Sequence, residues 1–155
     1  MKGNDDMRDK IIRIHWSEPM LLEDAIQSDL AQKQGLYYIT RIFGEKETSL
    51  YLGKATKNNT IKHRLISHRD NWLFKYRGKK YVRIGRVAYP KTSDIYENEK
   101  LIDHAERAIL YDKAHSKLFP ENIQNRKRYT CTDLYRIENE GDIFQLNSSI
   151  RMQEH

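Results

Sequence analysis

Glu106 is a carboxylate set among apolar neighbours. Ile95, Ile102, Ala105, Ile109 and Leu110 recur at helical spacing, and at about 100° per residue Glu106 falls inside the arc they define. A carboxylate on a buried helix face is costly unless it is paired, protonated or bound to a metal. Two readings follow: an internal salt bridge with an arginine, or a ligand for a hard cation such as Mg²⁺. Arg64 and His68, four residues apart, project as neighbours from one helix face. A guanidinium and an imidazole side by side suit a phosphodiester, the first for its charge and the second for hydrogen bonding or proton transfer. The same spacing also arises by chance in any basic helix. Tyr37 and Tyr51 lie on strand-like segments just before that helix. They are either core aromatics with a hydroxyl at the rim or hydroxyls delivered to the same place.

Charge is unevenly spread around these residues. Between Lys54 and Lys91 there are twelve lysines and arginines and one acid, Asp70. The whole chain has 28 basic and 22 acidic residues, a formal net charge of +6, so acids are in excess outside that block. A basic block on a mildly acidic body is the footprint of a polyanion-binding face; the plainer reading is a solvated lysine-rich surface. Lys54, Lys57, Lys62, Arg69, Lys75, Arg77, Lys79 and Lys80 are its candidates for contact with nucleic-acid phosphates.

The elements that must position these groups can be read from periodicity. Ile11 to Trp16 could form a short strand. Ser17 then reads as the N-cap of a helix with Pro19 in its first turn, running to about Gln34 and ended by Gly35. Leu36 to Phe43 and Ser49 to Gly53 read as strands of a hairpin joined by the polar loop Gly44 to Thr48. Thr60 could cap a helix through Trp72, and Tyr81 to Tyr89 alternates as a third strand closed by Pro90. A long helix from Ser93 to about Lys117 should stop at Leu118-Phe119-Pro120. A polar loop, Glu121 to Thr130, precedes a terminal hairpin of Asp133 to Ile137 and Asp142 to Leu146, joined through Asn139-Glu140-Gly141. The expected class is α+β: a small, mostly antiparallel three-stranded sheet flanked by helices, with an N-terminal helix and a C-terminal β-hairpin added.

At 155 residues the chain has room for one ordinary domain and not two. Charged residues make up 32% and the hydrophobic types 38%, yet the apolar residues cluster in patterned runs with ten tyrosines, which points to a small folded core rather than disorder. No run approaches the roughly 20 apolar residues of a membrane span. No apolar segment follows Met1-Lys2-Gly3-Asn4-Asp5-Asp6, so a secretory signal is not expected either. Cys131 is alone, which excludes an intrachain disulfide and a cysteine-rich zinc site. A soluble protein of the cytoplasm is the expectation.

Together these residues resemble the GIY-YIG endonucleases. Gly35-Leu36-Tyr37 and Tyr51-Leu52-Gly53 look like the paired tripeptides of that family, each with leucine where the family has isoleucine. Arg64 lies eleven residues past Gly53, and His68 follows at the family's spacing. Glu106 is on a long downstream helix, where the family's metal-binding glutamate belongs, and Asn122 matches the asparagine that closes the motif, with Asn125 a near alternative. The resemblance covers about Gly35 to Asn122. It divides the chain into an extension over 1–34, a nuclease-like core over 35–128, and a hairpin and tail over 129–155, all in one structural domain.

The resemblance implies hydrolysis of DNA phosphodiesters with one divalent metal, Mg²⁺ or Mn²⁺, held by Glu106. A tyrosine hydroxyl would take a proton from the attacking water: family precedent points to Tyr37, with Tyr51 and His68 as alternatives. A free phenol has a pKa of about 10, so the basic surroundings would have to lower it. Arg64 would neutralise charge on the phosphorus, and Asn122 would hold the site together by hydrogen bonds. The length favours a stand-alone nuclease of restriction or phage type, and cutting both strands with one site implies a homo-oligomer or sequential nicks. The other reading is a non-catalytic nucleic-acid-binding module on the same fold.

Overall fold

The computed structural model describes residues 10–88, 95–122 and 135–151. β1 (Lys10–Trp16) alternates, with Ile12, Ile14 and Trp16 buried and Arg13 and His15 exposed, the period of a strand with one packed face. β2 (Met20–Leu21) is followed by a short helix, α1 (Leu22–Gln27), and a 3₁₀ turn, Asp29–Gln32. The helix expected from Ser17 to Gln34 is therefore not formed. Ser17 is no N-cap: its hydroxyl accepts the backbone N–H of Ile84 at 2.9 Å, and Met20 and Leu21 pair with Val82 and Tyr81 instead. Ser28 then ends the helix, donating to the Ala25 carbonyl at 2.7 Å and accepting from the Ala31 N–H, which is how serine competes with helical bonding.

β3 (Gly35–Phe43) and β4 (Lys46–Ala55) form the expected hairpin, but its turn is only Gly44 and Glu45. The polar residues Lys46 to Thr48 continue β4, where Glu47 accepts from the Thr40 hydroxyl at 2.5 Å. α2 (Ile61–Asn71) starts as read, with the Thr60 hydroxyl accepting from the His63 N–H at 3.2 Å. A 3₁₀ turn, Leu73–Lys75, leads to β5 (Lys79–Ala88). α3 (Ile95–Tyr111) stops six residues before the expected end, because Asp112 turns extended and its carboxylate caps the 3₁₀ turn Lys113–His115 at the Ala114 N–H. The expected start at Ser93, the strand end at Tyr89 and Pro90, the alternative Asn125 and most of the polar loop lie outside the described residues.

The three-stranded sheet is the main correction. The structure has one curled, mixed, seven-stranded sheet in the order β4-β3-β5-β1-β6-β7, with β2 also on β5, accompanied by three α-helices among the described residues. β5 is antiparallel to β3 on one side and to β1 on the other. β6 (Tyr135–Gly141) runs parallel to β1, and β7 (Ser149–Arg151) is antiparallel to β6. The chain segments read as additions at the two ends are thus integral to the sheet. Asn139-Glu140-Gly141 is correspondingly the end of β6 rather than a turn, because Asn139 accepts from the Trp16 indole at 2.9 Å and Gly141 stands opposite Trp16. Asp142 to Leu146 is a loop, and the partner of β6 is Ser149–Arg151.

Both faces of the sheet are covered, so alternate residues of β3 enter different cores. Tyr37 and Ile39 pack with Tyr51, Ile61, Leu65 and the α1 residues Ala25 and Ile26. Leu36 and Tyr38 pack with Ile14, Trp16 and the α3 residues Ile102, Ala105 and Ile109. β4 is an edge strand, and Asn122 covers its outer side at Leu52. The Asn122 side-chain carbonyl accepts the Leu52 N–H at 2.8 Å and its amide donates to the Leu52 carbonyl at 2.7 Å, with the residue 1% exposed. Replacing Asn122 with alanine strands both backbone groups away from water, at about 1–3 kcal/mol each. Urea unfolding of Asn122→Ala should show a loss of about 2–4 kcal/mol; a loss well under 1 kcal/mol would mean that the clamp is not what seals this edge.

Candidate active site

The two tyrosines meet because of a glycine. Tyr37 on β3 stands opposite Gly53 on β4. A Cβ on Gly53 would lie 2.5 Å from Cζ and Oη of Tyr37 and 2.6 Å from Cε2 of Tyr51, so only glycine leaves room for the Tyr37 ring to lie across the neighbouring strand. Gly35 is held equally tightly: its φ is +152°, and a Cβ there would approach the Gly85 carbonyl oxygen to 2.8 Å. Both motif glycines thus serve close approach of backbone and ring, and Gly35 begins a strand rather than ending a helix.

Tyr37 and Tyr51 stack with centroids 6.1 Å apart, and the His68 ring sits 5.6 Å from the first and 4.6 Å from the second. His68 is on the buried face of α2, with its Nε2 2.8 Å from the Tyr37 hydroxyl oxygen. Its other ring nitrogen, Nδ1, accepts from the Trp72 indole N–H at 2.8 Å. Burial, helped by the neighbouring Arg64 charge, pushes the His68 imidazole down to about 4. Burial drives the Tyr37 phenol far above its ordinary value, and Tyr51 adds to the rise; the charge and hydrogen bonding of Arg64 pull against it. Tyr51 is shifted the same way by burial and by Glu106, again opposed by Arg64. Arg64 is accordingly raised, chiefly by Tyr37.

Glu106 reaches this group from α3, which packs on the other face of the sheet. It is 6% exposed, and Lys54 Nζ is 3.8 Å from its carboxylate. Lys54 also bonds Asp103, which pairs with Arg107 at 3.3 Å. Among the described residues the ion pair of Glu106 is with a lysine from β4, where the salt-bridge reading expected an arginine. Burial pushes the Glu106 carboxyl up to about 7, against the pull of Lys54. Among the described residues no three His, Cys, Asp or Glu side chains converge as a metal cage. The chemistry still fits a Mg²⁺-like ion held by one carboxylate, since such ions keep several waters and share substrate phosphates.

Tyr37, Tyr51, Arg64, His68 and Glu106 all lie in this one neighbourhood, and Asn122 braces the strand between Tyr51 and Gly53 from outside. The basic residues divide. Lys54 is inside the site, Arg69 is bound to Glu23 and Asp70, and Lys80 donates to the Tyr76 carbonyl. Lys62 is half-buried, while Lys57, Lys75, Arg77 and Lys79 are exposed. Two contributors escaped the sequence reading. Trp72, four residues beyond His68, carried a usable signal in that spacing; Asp103 carried none beyond sharing the helix with Glu106. No family model matches this chain, and neither a curated protein nor a solved structure matches it.

The two shifted acids oppose each other in their effect on stability. Glu106 has its folded value raised from 4.5 to about 7, so its contribution favours folding below 4.5 and is lost as pH rises through 7. His68 is lowered from 6.5 to about 4, so its contribution is present above 6.5 and is lost as pH falls through 4. Glu106→Gln removes the first alone. Compared with the native chain by urea unfolding without divalent metal, it should gain on the order of 2 kcal/mol in relative stability between pH 4.5 and pH 7. A difference that stays constant with pH would mean that Glu106 is not a destabilised buried acid.

Proposed function

We propose that this chain is a divalent-metal-dependent DNA endonuclease of the GIY-YIG type, acting as a stand-alone restriction- or phage-type nuclease in the cytoplasm. The observation that carries the reading is convergence: hydroxyls from β3 and β4, a guanidinium and an imidazole from α2, and a carboxylate from α3 surround one point on the edge strand. No helix among the described residues is long and apolar enough to cross a membrane.

In this reading Tyr37 takes the proton of the attacking water. The need is clear from its surroundings, because burial alone holds the phenol protonated and the Arg64 charge is what favours its ionised form. Arg64 also faces the phosphate and strengthens its grip as negative charge develops in the transition state. Glu106 would hold Mg²⁺ or Mn²⁺, which when bound stabilises the leaving oxygen as a Lewis acid. Lys54 pulls against the burial that raises the Glu106 carboxyl, and Asn122 fixes the height of β4 beneath Tyr51. Lys57, Lys62, Lys75, Arg77 and Lys79 supply non-specific phosphate affinity. A single site cuts both strands only as a homo-oligomer or by successive nicks.

The second reading, a non-catalytic nucleic-acid-binding module, is favoured by one observation: the strong upward push on Tyr37 opposes its use as a base. Supercoiled plasmid with Mg²⁺ or with EDTA separates the two. The nuclease reading expects nicked or linear DNA with Mg²⁺ only, and no cleavage by Glu106→Gln at unchanged DNA affinity. Binding without cleavage under both conditions would favour the module.

Two series grade the residues. Arg64→Ala should lower the rate far more than Lys75→Ala or Lys79→Ala, whose loss should be recovered by lowering the salt. Equal, salt-recoverable losses in all three would remove any special role for Arg64. Tyr37→Phe should lower the rate by ~10²–10⁴-fold, the usual weight of general acid–base catalysis. Tyr38→Phe is the control: its hydroxyl bonds Ser49 on the opposite face of the sheet, so stability should drop by about 1 kcal/mol and the rate should hold. A full-rate Tyr37→Phe beside a crippled Tyr38→Phe would reverse the assignment.

A further inference from the structure

His68 has two ring nitrogens, and the two bonds it makes are not independent. An indole N–H can only donate, so the 2.8 Å bond from Trp72 requires a bare Nδ1. A neutral imidazole with a bare Nδ1 must carry its proton on Nε2, the atom 2.8 Å from the Tyr37 oxygen. The direction of the Tyr37 bond follows: Nε2–H donates and the phenol oxygen accepts. Trp72 can hold this arrangement because it ends α2, one turn beyond His68. Its backbone N–H bonds the His68 carbonyl at 3.1 Å, and its ring packs edge-on against the imidazole at 5.5 Å and tilted against Tyr51 at 5.7 Å.

We propose that Trp72 is a positioning residue that locks His68 in the Nε2–H tautomer and so makes His68 a hydrogen-bond donor to Tyr37 rather than a proton acceptor. The assignment deepens the nuclease reading and rests on it for its effect on rate. While Trp72 stays in place, His68 has no free lone pair with which to take a proton from Tyr37 or from water. What it offers is a second donor, besides Arg64, directed at the oxygen that becomes negative when Tyr37 ionises. Of the three candidate bases in the sequence, His68 is thereby removed.

Nitrogen-15 spectra of the imidazole rings test the tautomer without any need for activity. The chain has six histidines, and the His68 signals are identified by their loss in His68→Gln. The expected result near neutral pH is a protonated, pyrrole-type Nε2 and an unprotonated, pyridine-type Nδ1; a proton on Nδ1 overturns the proposal. Trp72→Phe keeps a ring but removes the N–H. It should release the lock, so that the Nδ1–H form becomes populated. It should also lower kcat for plasmid cleavage by about 10–100-fold, by analogy with the loss of a partner that orients a metal-bound histidine. An unchanged tautomer together with an unchanged kcat overturns the positioning role. His68→Gln, which retains an amide donor at the reach of Nε2, should keep more activity than His68→Ala. Equal and complete loss in both would mean that His68 accepts a proton. If the native chain cuts no DNA at all, the nuclease reading fails, and the nitrogen spectra still decide the tautomer.

Discussion

The ring of Tyr37 occupies the space that a side chain on Gly53 would need. That single close approach, with a hypothetical Cβ only 2.5 Å from the phenol oxygen, sets where the hydroxyl can be. It carries the oxygen toward α2, where His68 and Arg64 wait on one face, and under the stacked ring of Tyr51. The rest of the site is arranged around this contact. Asn122 keeps the edge strand from shifting by satisfying both backbone groups of Leu52, next to Gly53. A strand free to slide there would move Tyr51 and Gly53 together and lose the stacked pair.

Two buried charged groups are handled differently. On the face that holds Tyr38, Arg83 is 3% exposed and forks between Glu47 at 2.7 Å and Asp142 at 2.9 Å, with Phe144 beneath its guanidinium at 4.8 Å. That group is fully paired and ties the loop after β6 to the centre of the sheet. Glu106, on the helix that covers this same face, pairs with Lys54 at 3.8 Å, and burial still raises its carboxyl against that pull.

Much of the site was legible in one dimension because its parts obey local rules. The i, i+4 spacing of Arg64 and His68 is a helix property, and Thr60 announced where that helix begins. Glu106 stood out because helical periodicity assigns each residue a face whatever the helix packs against. The partner of Glu106 was not legible: Lys54 comes from a strand, and nothing in a basic block says which lysine turns inward. Nor was the true partner of Ser17: it reads as a helix cap, but its hydroxyl accepts the Ile84 N–H of a distant strand. Asn139 likewise looked like a turn residue and is held in a strand by the Trp16 indole.

Local pattern by itself determined the strand character of β1 and β5, the β3–β4 hairpin, the two longer helices and the set of side chains with chemistry to offer. The size and order of the sheet were decided only by tertiary structure. β1 joins β5, and β6 runs parallel to β1, across separations of more than 100 residues for the latter pair. Backbone hydrogen bonding in a sheet is indifferent to sequence distance, and each strand needs two neighbours or a cover. Which strand fills an open edge therefore depends on everything else that has already paired. The same holds for the imidazole of His68: its residue type and helix were written in the chain, but the nitrogen that carries its proton is set by an indole that only the folded end of α2 brings within 2.8 Å.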